Sequence, residues 1–97
     1  MIQNAGSQVI TADSVVGVSG KATRVFAVNI VSDGTAGVVI LRNGTSTGGT
    51  AYVTENGVVS SGKTVTYGTQ GILFPSGCFC DVDSHATSTL VAYTQEG

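Results

Sequence analysis

A chain of 97 residues with a net charge of −2 and four basic side chains has room for one hydrophobic core and too little positive charge for a nucleic-acid interface. Charged residues make up 10% of the sequence, against roughly 25% in an average soluble domain. No apolar run approaches the length that spans a bilayer, so we expect one small domain with neither a nucleic-acid nor a membrane partner.

The first twenty residues contain two weak strand patterns, at residues 8–11 and 14–18. The chain begins MIQNAGS, which lacks the basic start and apolar core of a signal peptide, so we expect synthesis in a cytoplasm. We interpret residues 1–20 as an N-terminal arm or weak strands that form a docking segment, and residues 21–97 as the β-domain.

The first clear strand pattern covers residues 24–31 (RVFAVNIV), which place Phe26, Val28 and Ile30 on one face. Residues 37–41 (GVVIL) are apolar on both faces. This pattern predicts a central strand that is covered on both sides or that meets a partner on its outer side.

Three turn signals separate the strands: Asp33-Gly34, Asn43-Gly44 and Asn56-Gly57. Such pairs tolerate positive φ at both central positions of a two-residue hairpin, so their spacing predicts a meander. Further strand patterns follow at residues 50–54, 63–67, 71–74, 78–83 and 87–94. About eight strands and no helix indicate an all-β fold, a single antiparallel β-sandwich or jelly-roll-like domain.

The residues with reactive side chains favour structural roles. Cys78 and Cys80 lie two apart and point to one face of a strand, which predicts buried thiols. Asp81 and Asp83 resemble a fragment of a calcium site, but a solvated strand end is favoured because calcium needs six to eight oxygens. His85 is expected in an exposed hairpin turn. We therefore predict no enzyme activity, no metal and no cofactor.

The size and composition of the chain predict association with other subunits. A domain this small has little core, and fourteen glycines raise the entropic cost of ordering it. Burial against neighbouring protein offsets that cost, so we expect a homo-oligomer or a docked state.

Several segments carry a family resemblance: residues 25–28 (VFAV), 41–44 (LRNG), 73–78 (LFPSGC) and 81–83 (DVD). With these segments the chain resembles small proteins encoded by marine tailed phages, including cyanophages. The resemblance implies a capsid decoration (cement) protein on the virion surface, often trimeric, bound to the major capsid protein or another virion protein.

Two alternatives stay open: a neck or tail ring component, and a carbohydrate-binding or adhesin domain that would stack sugars on Tyr52, Tyr67, Tyr93 and Phe79. For a virion protein, the expected partner contacts are Ile2, Val9, Ile10, Val38, Ile40 and Phe79.

Overall fold

Alternating apolar side chains and short polar connections give nine strands and no helix in the computed structural model, which describes residues 4–96. The strands are β1 (Asn4–Ile10), β2 (Ser14–Val16), β3 (Thr23–Ser32), β4 (Val38–Asn43), β5 (Thr50–Asn56), β6 (Gly62–Thr66), β7 (Ile72–Phe74), β8 (Cys78–Val82) and β9 (Ala86–Gln95).

The strands form two antiparallel sheets that pack face to face. Sheet A has the order β1-β9-β3-β6, and β7 also pairs with β3. Sheet B has the order β2-β8-β4-β5. The pairs β1–β9, β2–β8, β3–β6 and β4–β5 are those of one long hairpin rolled into a sandwich, which is the strand order of a jelly roll. The predicted fold class is confirmed.

The predicted meander is wrong. The connections that contain Asp33-Gly34 and Asn56-Gly57 pass from one sheet to the other, and so does the connection that carries His85. Asn43-Gly44 does join a hairpin, β4 to β5, but through a six-residue loop. A two-residue hairpin of this type requires positive φ at its glycine. Gly44 has a φ of 144°, whereas Gly34 and Gly57 do not have positive φ and therefore do not close such a hairpin.

Of the first twenty residues, 4–10 and 14–16 form strands of the sandwich, which agrees with the weak-strand interpretation and not with a free arm; residues 1–3 lie outside the described residues. β1 pairs with β9 along its whole length, and β2 pairs with β8. The Gln8 side chain joins the two sheets: its amide nitrogen donates to Val15 O (2.9 Å) and its carbonyl oxygen accepts from Gly17 N (2.9 Å). The strand patterns of both segments are weak in the sequence because β1 is largely polar and β2 has only three residues.

The core lies between the two sheets. In sheet A, Val28 faces Val91 across the ladder, and in sheet B, Leu41 faces Cys80. Together with Phe74 these side chains are fully buried. Every second residue of each strand therefore points outward, and these outward side chains form the two broad faces of the molecule.

Candidate interaction surfaces

Three rows of side chains on the outer face of sheet A carry no ionisable group. Strand register defines these rows, and we call this surface the neutral face: Val9, Leu90, Asn29 and Thr64 in the first row; Ser7, Ala92, Ala27 and Thr66 in the second; Ser88, Val31 and Gly62 in the third. A solvated sheet face usually carries charges, so this composition is unusual for a surface exposed to water.

The neutral face has a ridge and a depression. Val9 and Leu90 are cross-strand neighbours and are 59% and 42% exposed. Beside Leu90 lies an open depression of about 300 Å³. The short side chains of Ala27 and Ala92 leave this space, which Asn29 and Thr64 close on the far side. The Asn29 amide donates to Thr64 Oγ1 at 2.7 Å, so the polar members are paired with each other.

An ion pair marks the end of the neutral face. In the next row, Arg24 Nε lies 2.8 Å from Glu96 Oε1, and the same guanidinium donates to Gln70 O at 2.8 Å. Leu73 is the cross-strand neighbour of Arg24 and is an exposed apolar side chain. The charges in this row cancel each other, so the row adds no net charge to the surface.

The outer face of sheet B, which we call the mixed face, combines apolar side chains with one ion pair. Phe79 lies between Val15 and Arg42 in the ladder, and Ile40 pairs with Asp81. Arg42 Nε lies 3.1 Å from Asp81 Oδ2 and spans the two rows. The apolar members are half-buried, because their neighbours on the face cover part of each side chain.

The predicted partner contacts divide between the two faces and the core. Val9 is exposed on the neutral face, whereas Val38, Ile40 and Phe79 are half-buried on the mixed face of sheet B. Ile10 is wrong as a contact: it is 1% exposed, because it points from the end of β1 into the core. Ile2 lies outside the described residues.

Asp81 and Asp83 serve different partners. Asp81 pairs with Arg42, so it is not the free carboxylate of a solvated strand end. Asp83 Oδ1 accepts from the N–H groups of His85 and Ala86, both at 3.0 Å. Partial burial acts to raise the pKa of Asp83, but main-chain N–H donors outweigh it and lower the pKa. Within residues 4–96, no three His, Cys, Asp or Glu side chains are placed to hold a metal ion.

His85 occupies a turn, as predicted, but this turn joins β8 to β9 across the two sheets and is not a hairpin; the side chain is 43% exposed and contacts a second loop. Its Nδ1 lies 3.1 and 3.2 Å from the two carboxylate oxygens of Asp33. The Thr35 N–H group, which donates to the same carboxylate, is the main cause that lowers the pKa of Asp33, and His85 is the second. The contact links two connections at one end of the sandwich, and no nucleophile is hydrogen-bonded to the imidazole among the contacts of the described residues.

The tyrosines proposed for sugar stacking are held by their own neighbours. Tyr52 stacks on buried Phe74 with a centroid distance of 5.2 Å. Tyr67 packs against the core and donates its hydroxyl to Glu55 Oε2 at 3.2 Å, and burial raises its pKa. Tyr93 also packs against the core, over Gly6. These three rings do not form a shared platform on either outer face.

Cys78 and Cys80 are buried free thiols, as predicted. Burial raises the pKa of each to about 12, and nearby negative charge adds to the effect. Both side chains belong to the core, where they pack as small apolar groups.

Comparisons of the chain with protein-family models, with curated proteins and with solved structures gave no match. Across residues 4–96 the structure has no helix with the length and hydropathy needed to cross a bilayer. The inference of function therefore depends on the surfaces described above.

Proposed function

We propose that this chain is a structural protein of a tailed-phage virion, and that it acts as a capsid decoration (cement) protein. The observation that carries the proposal is that apolar side chains lie on both outer faces of the sandwich. Val9 and Leu90 project from the neutral face, and Ile40 and Phe79 lie on the opposite, mixed face. A module with two such faces suits a position between neighbouring proteins.

The energetics of this arrangement favour a docked state. Burial of apolar surface contributes about 25 cal/mol per Å², and these side chains realise that contribution in full when another protein covers them. A protein that binds the assembled shell, and not its separate subunits, stabilises the shell by RT ln(1 + [L]/Kd) per site. Many equivalent sites on one shell add these increments. The resemblance to small marine-phage proteins points to the same role.

Carbohydrate binding is less favoured by this geometry. A sugar site needs an exposed aromatic ring with polar partners beside it. Tyr52 is 44% exposed but stacks one face on Phe74, the Tyr67 hydroxyl is bonded to Glu55, and Phe79 is half-buried next to Arg42. A glycan array that showed saturable binding would favour the adhesin alternative over the decoration role.

The copy number of the chain in purified particles tests the location. Quantitative mass spectrometry should give hundreds of copies per particle for a decoration protein, and about a dozen or fewer for a neck or tail ring. Gold-labelled antibody should mark the head surface. Absence of the chain from the particle would overturn the virion assignment.

Binding to expanded empty shells tests the mixed face. Ile40→Thr keeps a β-branched side chain in β4 and removes apolar surface from this face, so we expect shell affinity to fall roughly tenfold. Val18→Thr is the matched control, because Val18 is 53% exposed and lies in a connection between sheets, outside both faces. Equal affinities for Ile40→Thr and wild type would exclude Ile40 as a contact.

A further inference from the structure

We propose that the neutral face binds a second copy of this chain, so that two sandwiches pack through their sheets A about a two-fold axis. The inference rests on the proposed function and deepens it: the neutral face joins two copies, and the mixed face remains for the shell. Charge, shape and area support this occupant.

The charge distribution permits self-association at this face. Each copy carries a net charge of −2, so contacts through charged surfaces bring like charges together. The neutral face has no ionisable side chain in its three rows. Its polar pair, Asn29 and Thr64, is hydrogen-bonded within one chain, so one donor and one acceptor of the pair are already satisfied when a second copy covers them.

The shape of the face is self-complementary. Leu90 projects beside the depression, whose short side chains are Ala27 and Ala92. A two-fold axis between these features places Leu90 of each copy in the depression of the other. An interface of this symmetry requires that one surface carry both the projection and the space that receives it. A closed trimer would instead need two different surfaces.

The area of the face sets the expected affinity. Four strands about 4.8 Å apart and four rows of side chains about 6.7 Å apart give roughly 500 Å² per copy, with the Arg24 row included. The total of about 1,000 Å² is the lower limit for a specific interface, so we expect a weak dimer with a micromolar dissociation constant.

Sedimentation equilibrium of the purified chain over a concentration series tests this inference. Wild type should fit a monomer–dimer equilibrium. Ala92→Leu fills the depression on the surface, and we expect it to weaken the dimer more than tenfold although it adds apolar area. The matched control is Ala51→Leu, an exposed position on β5 in sheet B, which should leave the dimer unchanged. Thermal melts of both variants check that they fold.

Three results would overturn the dimer: a wild-type chain that stays monomeric, a trimer, or an Ala92→Leu variant that associates as strongly as wild type. The last result would mean that the two neutral faces associate through apolar area alone, without Leu90 of one copy entering the depression of the other. These failures are distinct from failure of the proposed function. A monomer that saturates shells refutes the dimer alone, and a dimer that ignores shells refutes the decoration role alone.

Discussion

Gly37 occupies a position where the chain has no room for a side chain. It lies just before β4, and a Cβ at this residue would stand 2.6 Å from both Cα and N of Ala86. Ordinary van der Waals contact begins at 3.4 Å, so the shortfall is 0.8 Å. The obstructing atoms are main-chain atoms at the start of β9, where Ala86 is buried, and they cannot move aside as the end of a long side chain can.

Gly37→Ala should therefore destabilise the protein by about 3 kcal/mol, the upper end of the cost of overpacking a core. Two hydrogen bonds hold the main chain of Gly37 in place, since its N–H donates to the Ser32 hydroxyl and its carbonyl accepts from Gly57 N. Equilibrium urea unfolding, followed by circular dichroism, measures the loss. A loss of 3 kcal/mol corresponds to a melting temperature lower by ten degrees or more.

Gly34→Ala in the same connection is the matched control. A Cβ at Gly34 would meet no heavy atom within 4 Å, so alanine there should be neutral or stabilise the protein by up to about 1 kcal/mol through the unfolded state. If Gly37→Ala and Gly34→Ala unfold at the same urea concentration, the close approach of Gly37 to the main chain of Ala86 is incorrect.

Three further perturbations test the core and one loop. Leu41→Ala should cost about 2–5 kcal/mol in urea unfolding because Leu41 is fully buried, whereas Leu73→Ala on the surface should cost under about 1 kcal/mol. Cys78 and Cys80 should resist iodoacetamide at mildly alkaline pH and react after denaturation, because burial raises their pKa to about 12; rapid alkylation of the native protein would contradict this. The lowered pKa of Asp83 contributes stability that is complete above the unfolded pKa near 4 and is lost as the pH falls through the folded value, so wild type should lose stability below about pH 4 more steeply than Asp83→Asn. Parallel pH profiles of the two proteins would contradict the role of Asp83.

The strands could be predicted from sequence, because alternation and turn residues are local signals. The pattern at residues 24–31 lies within β3, and the one at 50–54 lies within β5. The two strands at the N-terminus were weak predictions, since β1 is polar in four of its seven positions when glycine is counted as polar, and β2 has three residues. Their stability comes from pairing with β8 and β9, which lie more than sixty residues away.

The candidate surfaces could not be predicted, because they depend on which strands are neighbours. Leu90 and Val91 are adjacent and similar in sequence, yet Leu90 points outward and Val91 is buried. The register of β9 between β1 and β3 decides this, and it brings Val9, Leu90 and Asn29 into one row. Ile10 was predicted as a partner contact because it is apolar. The pairing of β1 with β9 instead directs its side chain into the core. Alternation along one strand indicates which side chains share a face, but it does not identify the neighbouring strands whose side chains complete each row.

The rolled hairpin also constrains the order in which the chain can fold. β4 and β5 pair across a short loop, whereas Asn4 pairs with Gln95 at the opposite end of the sequence. β9 lies between β1 and β3 in sheet A, so during synthesis neither of these strands can pair with β9 until residues 86–95 leave the ribosome. Pairing between such distant segments makes folding slow. Until then, β1 and β3 present unpaired edges to other nascent chains, and nearby copies can capture each other at this stage.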